Sequence, residues 1–218
     1  AGRAPRVATP EQISAIYRAC DSAQWPRGVK RLGYTPCDWW RALVVWLFNV
    51  GSRRSDFLAL QWSQIDFDRR LFTSDESKTG KSFPRHLNDV VIEALRLIRG
   101  GGRYVFPKSK GLRMLYRHWY RIQGNAGISD GERFSFHELR KTCCTAFYEI
   151  SPAAAQEMMG HSDLKVTRSH YWAPDRHVAE IAQQLKQPEA FTATDVGGKS
   201  ICMLENFEQF FYVEGAAS

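Results

Sequence analysis

The sequence predicts a mostly helical α+β domain that carries one small, three-stranded antiparallel sheet. Helix-start signals and glycine breaks recur along most of the 218-residue chain, whereas only residues 65–87 change to short β-type runs. Hydrophobic residues make up 44% of the chain, enough to bury one sizeable core.

The elements follow in order. Thr9 is placed to cap a first helix, with Pro10 at its first position and Glu11 and Gln12 in its first turn. Residues 22–36 hold Pro26, Gly28, Gly33 and Pro36 and read as a loop. A second helix, rich in Trp and Leu, covers about 37–50 and stops at Gly51; Ser55 then caps a short third helix in DFLALQW. In IDFDRRLFTSDESKTGKSFPRHL the β-type runs are separated by Asp-Arg-Arg and Lys-Thr-Gly-Lys, which gives the sheet. Helices return at about 88–99, 109–124, 136–149, 152–159, 163–171 and 174–186, with Gly100, Gly101 and Gly102 as a break. From Gln187 onward Pro188, Thr192, Thr194, Gly197 and Gly198 read as a linker to the apolar terminal segment ICMLENFEQFFYV. The domain reading is therefore a compact body over 1–186 and a linker with a terminal segment over 187–218.

Lys and Arg number 30 against 23 Asp and Glu, a formal charge of +7. That balance favours an anionic partner, most commonly nucleic acid, although a basic enzyme kept soluble by its charge has the same composition. Five cysteines form no C-x-x-C pair, so neither a disulfide framework nor a zinc knuckle is indicated, and a reducing, cytoplasmic compartment fits. The most apolar run, ALVVWLF, is far shorter than the roughly 20 residues of a bilayer span, and the first residues lack a signal peptide's apolar stretch. Without an initiating methionine the chain reads as an excised domain.

SFHELRKT fails as a zinc helix of the H-E-x-x-H kind, because Lys141 stands where the second histidine is needed. His137 and Arg140 remain, three apart on one helical face, and pair a proton donor or acceptor with a permanent cation. That pair suits a phosphate better than a carbonyl, although a surface His and Arg on an amphipathic helix has the same spacing. His161 follows the break at Gly160, and Tyr171 lies ten residues on. A tyrosine hydroxyl can attack phosphorus only beside cations that stabilise the transition state. Arg53, in the turn between two helices, is such a cation, and a buried Asp56 is expected to hold it; taken alone, Arg53 reads as a plain surface arginine. Arg54 takes a solvent-facing or DNA-facing register. Tyr148 is the rival nucleophile, but its neighbours Ala146, Phe147 and Ile150 make it read as core.

Taken in order, GSRRSDFLALQW, SKTGK, FHELRKT and MMGHSDLKVTRSHY resemble the catalytic domain of the tyrosine recombinases of the phage-integrase type, over residues 9 to about 185. The resemblance implies the fold of the DNA breaking-rejoining enzymes. It implies a site-specific recombinase or integrase of a mobile element, working on double-stranded DNA through a 3′-phosphotyrosyl intermediate with no metal, ATP or other cofactor. It places the first catalytic arginine at Arg53 with Asp56 as its buried acidic partner. The hairpin lysine falls at Lys78, with Lys81 as the fallback and a DNA contact, and protonates the leaving oxygen. The third box gives His137 and Arg140, the next histidine is His161, and the nucleophile is Tyr171. His137 is assigned as acid/base for the tyrosine and His161 as donor to phosphate, and the two roles are interchangeable. A type IB topoisomerase-like relaxing enzyme, or a DNA-binding module on the same fold without catalysis, are the alternatives.

Two positions depart from the family pattern. Arg54 replaces an aliphatic residue, and His86 replaces a proline before the leucine of the last strand, so both are read toward DNA contacts peculiar to this protein. Arg113, Arg117 and Arg121, spaced by four, form a face suited to the DNA backbone, or else an ordinary solvated face. The resemblance also implies a homotetramer on DNA. Its terminal segment, with Phe207, Phe210 and Phe211, then docks on a neighbouring protomer, or on its own body when alone. The implied location is the cytoplasm, with the nucleoid when DNA is bound, and the N-terminal DNA-clamp domain of the family is expected to be absent from this chain.

Overall fold

Side chains that reach back to the backbone decide where the helices begin. The structure, a computed structural model, describes residues 6–75, 82–107, 111–159 and 182–192. At α1 (Pro10–Ala19) the Thr9 hydroxyl accepts from the Gln12 amide while the Gln12 side chain accepts from the Thr9 amide. Thr35 and Asp38 repeat this exchange at α2 (Pro36–Val50), which ends on Gly51 in the left-handed conformation, φ 58°. The short helix α3 (Arg54–Ala59) corrects the expected cap: Arg53, not Ser55, is the capping residue. Asp56, three residues on, accepts from the Arg53 amide at 3.2 Å.

The sheet is as expected. Strands β1 (Ile65–Asp66), β2 (Leu71–Asp75) and β3 (Ser82–His86) pair antiparallel in that order, with Asp66 opposite Leu71 and Asp75 opposite Ser82. Residues 76–81 therefore join β2 to β3. Helix α4 (Asp89–Leu97) is capped by the Asn88 side chain, α5 covers Leu112–Asn125, and α6 (Phe136–Ile150) carries a Ser135–Glu138 exchange of the α1 kind. Helix α7 covers Pro152–Met159. The helix expected over 163–171, and most of that over 174–186, lie outside the described residues; 182–184 are helical.

Helix α2 is the axis of the core. Thirteen of its 15 residues are buried, and it packs against α1, α4 and α6, as a helix apolar on every side must. Its three tryptophans bury large surfaces, and two of them pair their N–H groups: Trp40 donates to the Trp25 carbonyl at 2.7 Å and Trp46 to the Ser52 hydroxyl at 2.7 Å, whereas the buried Trp39 N–H meets no acceptor among the described residues. Trp40 also stacks on Trp119 of α5, 6.0 Å between rings.

One buried amide braces the approach to α6. Gln123 is fully buried, accepts from the Phe134 amide at 2.7 Å and donates to the Phe134 carbonyl at 3.0 Å; the Trp119 indole donates to that carbonyl at 2.6 Å. The chain entering α6 is thus tied to α5 by three hydrogen bonds.

The linker expected from Gln187 is corrected over its first residues. Gln187 donates to Asn49 at 2.7 Å, and Asn49 also accepts from Asn88 at 2.7 Å. A short helix α8 (Glu189–Thr192) then places Phe191, fully buried, against Tyr17 at 5.0 Å and Phe48 at 5.7 Å between rings. An aromatic ring that finds a core pocket outweighs the proline and polar residues that suggested a linker.

Phe191→Ala is expected to cost about 3–5 kcal/mol in urea unfolding, since a buried ring is lost; a true linker residue costs nothing measurable. Gln123→Leu is expected to cost about 1–3 kcal/mol in the same measurement, because the Phe134 amide is left buried without an acceptor.

Candidate active site

The site is built where α2 stops. Gly51 turns the chain through the left-handed region, and its amide donates to the Leu47 carbonyl at 3.1 Å. Its own carbonyl, freed from the helical ladder, accepts from Arg140 Nη1 at 2.5 Å. Arg140 is buried, only 8% exposed, one turn beyond His137 on α6. Ser52, buried and held by the Trp46 indole, leads directly to Arg53, which is exposed. A single residue, Ser52, therefore separates the carbonyl that anchors one guanidinium from the residue that carries the other.

The electrostatics follow from that proximity. Burial lowers the affinity of the Arg140 guanidinium for its proton, and the Arg53 cation lowers it further; Asp56 and the Cys143 and Cys144 side chains act in the opposite sense. Two cations held together on one side of the molecule, one buried and anchored, the other open to solvent, favour a bound anion.

Asp56 differs from expectation. It is exposed, and its carboxylate is engaged by the Arg53 amide at 3.2 Å and the Ser55 hydroxyl at 2.9 Å, so it fixes the backbone of Arg53 and not the guanidinium. A carboxylate in the first turn of a helix finds the unpaired amides there before it finds a side chain. Arg54 is exposed, and its Nη1 donates to the Tyr116 hydroxyl of α5 at 3.1 Å, with Tyr116 packed on Phe136 at 5.1 Å between rings. His137 is exposed in the first turn of α6.

Arg113, Arg117 and Arg121 are all exposed along one face of α5, opposite the buried Leu115, Trp119, Ile122 and Gln123. His86, read toward DNA, is half-buried instead; its Nε2 is buried without a hydrogen-bond partner, and burial lowers its pKa. Tyr148 is corrected as well: it is 60% exposed, because α6 turns that position away from Cys143 and Phe147, which face the core. Lys78, Lys81, His161 and Tyr171 lie outside the described residues.

Two contributors were not found from the sequence. The Gly51 carbonyl was detectable in principle, since a glycine after a helix signals a left-handed cap, but its recipient 89 residues away was not. Tyr116 carried no signal at all. Among the described residues no helix is long and apolar enough to cross a membrane, and no cluster of three or more His, Cys, Asp or Glu gathers as a metal site.

Gly51→Ala is expected to cost about 1–2 kcal/mol in thermal or urea unfolding, because a Cβ is strained in the left-handed conformation that presents the carbonyl to Arg140.

The family model described as the phage integrase family matches residues 6–177. The chain is 26% identical over 165 residues to the integrase of Salmonella phage P22, covering 66% of this chain and 42% of that protein. It is 25% identical over 153 residues to tyrosine recombinase XerA of Pyrococcus furiosus, covering 66% of this chain and 54% of that one. The chain thus spans about half the length of the curated relatives it matches. Among solved structures it is similar to the integrase of mycobacterium phage Brujita, with a TM-score of 0.61 at 19% identity over 85% of this chain and 60% of that one. It is also similar to the lambda integrase catalytic core, with a TM-score of 0.52 at 23% identity over 72% of this chain and 95% of that one. The mostly helical body with its three-stranded sheet is the fold of these proteins, and with the family model running through the boxes of Arg53, His137, Arg140 and Tyr171, the chain belongs to the phage integrase family.

Proposed function

We propose that this chain is the catalytic domain of a site-specific recombinase that cuts and rejoins double-stranded DNA through a 3′-phosphotyrosyl intermediate. The observation that carries the reading is the pairing of the buried, anchored Arg140 with the exposed Arg53, and with His137 one turn away on the same helix. Similar structures include a lambda integrase dimer bound to a COC′ core site and a lambda integrase tetramer bound to a Holliday junction. DNA as substrate and a tetramer as the working assembly follow those structures and the family resemblance, and the joining of protomers through the terminal segment of residues 201–213 follows the resemblance alone.

In the proposed reaction Arg53 and Arg140 hold the two non-bridging oxygens of the scissile phosphate, each offering donors in a planar fork. The Tyr171 oxygen attacks phosphorus and gives its proton to His137. The bond from phosphorus to the 5′-oxygen breaks, and that oxygen takes a proton from Lys78, whose ammonium can release one where a guanidinium cannot. His161 donates to the phosphate. The products are a 3′-phosphotyrosine and a free 5′-hydroxyl. Attack by the 5′-hydroxyl of a partner strand runs the steps in reverse. One phosphoester replaces another at each stage, so no ATP is consumed, and the two guanidiniums supply the charge stabilisation that a metal would otherwise give.

Nicked duplexes that trap the cleaved strand test this. Mass spectrometry of the tryptic peptide SHYWAPDR (169–176) is expected to show attached nucleotide with chelator present and none in Tyr171→Phe. Nucleotide on the Tyr148 peptide overturns the nucleophile assignment, and salt-sensitive binding without any adduct points to a binding module. Arg53→Ala is expected to slow cleavage by about 10²–10³ and leave the melting temperature unchanged, as Arg53 is exposed. Arg140→Ala is expected to lower both, since its partner carbonyl lies in the core turn.

A further inference from the structure

The stretch from Ser22 to Cys37 has no part in the reaction above, yet it packs beside α5 and carries three exposed cations. Two contacts fix it there. The Trp25 ring lies parallel to that of His118, 5.0 Å between centroids and 1° between planes, and Asn125 at the end of α5 donates to the Ser22 hydroxyl at 2.7 Å. The 3₁₀ turn Arg27–Leu32 follows directly, with Arg27, Lys30 and Arg31 all exposed. Arg27 stands close enough to act on His118. Burial holds that imidazole below its ordinary range, and the charges of Arg121, Arg117 and Arg27 hold it lower still.

Among the described residues these cations lack acidic partners: none of Arg27, Lys30, Arg31, Arg113, Arg117 and Arg121 is ion-paired. The carboxylate of Asp21, which lines the same cleft as Arg27 and Lys30, is taken by the buried Arg41 at 2.7 Å and by the Cys37 thiol at 3.3 Å. This open cleft of about 600 Å³ beside the turn has Asp21, Gln24, Arg27, Lys30 and Thr35 in its wall. Like charges gathered this way repel one another until a polyanion neutralises them. Arg113 to Arg121 spans about 12 Å along the helix, and the turn lengthens that track beyond α5.

We propose that the Arg27–Leu32 turn continues the α5 face, and that Arg27, Lys30 and Arg31 grip backbone phosphates of the duplex that flanks the cleavage site. This rests on the reading of the chain as a DNA recombinase. Duplex DNA is the occupant that fits, because the track is long, cationic and continuous with the α5 face, and because phosphate contacts need no base-reading geometry.

The test compares the 218-residue chain with the triple variant R27Q/K30Q/R31Q, and with a charge-reversed R27E/K30E. Affinity for a long duplex is measured over a range of salt concentrations, alongside hydroxyl-radical footprinting. The slope of log K against log salt is expected to fall by about one for each cation that meets a phosphate, with affinity about tenfold weaker and protection lost on one flank. The reversed variant is expected to weaken binding further. Cleavage of a short duplex that ends before that flank should be unchanged. Slope, affinity and footprint all matching the unaltered chain overturn the inference and assign the turn to an acidic protein partner or to solvent. If R113Q/R117Q/R121Q still weakens binding in that case, only the extension falls. If the unaltered chain binds no duplex at low salt, the recombinase reading falls with it.

Discussion

The hydrogen bond from Arg140 to the carbonyl of Gly51 couples the core to the site. A guanidinium taken out of water is tolerated only where its donors are met, and here the carbonyl that meets one of them belongs to the residue that ends α2. That carbonyl is available because Gly51 has left the helical ladder through the left-handed region. The position of Arg140 is thereby set by the axial helix of the core, and Arg53, two residues farther along, is placed by the same turn.

The surrounding packing keeps that turn fixed. Trp46 holds Ser52 from inside α2, while Gln123 and Trp119 hold Phe134 at the entrance of α6, the helix that carries His137 and Arg140. Each is a buried polar group with its partner met, in surroundings where an unmet one is costly. Both arginines are thus positioned by the core, one through a backbone carbonyl and one through a helix cap. The Asp56 carboxylate sits on the Arg53 amide, and so leaves the positive charge of that side chain directed at solvent.

The sequence was most informative where a residue acts on its own neighbours. Thr9 caps the helix it was placed to start, and the run of Trp and Leu in α2 gave a helix buried on all sides. It was least informative about burial at helix ends. Asp56 was expected inside and is outside, since the pull of free amides in the first turn of a short helix decides its direction. Tyr148 was expected inside from its apolar neighbours, but the last turns of α6 put Cys143 and Phe147 on the core side and Tyr148 on the other. Gln187 to Thr192 read as a linker because proline and polar residues dominate the pattern there, and one phenylalanine with a pocket between Tyr17 and Phe48 reversed that outcome.

By itself the sequence determined the helical class, the single small sheet, the order of the boxes and which residue types stand ready for phosphate chemistry, because these depend on local spacing and on side-chain identity. Only the tertiary structure decided that Gly51 receives Arg140, that Tyr116 receives Arg54, and that the turn after Trp25 stands against α5. Each of these joins residues dozens of positions apart. Such contacts arise from the way α2 gathers the other helices around itself, and no periodicity within a window of the chain records which distant group will fill a given hydrogen bond.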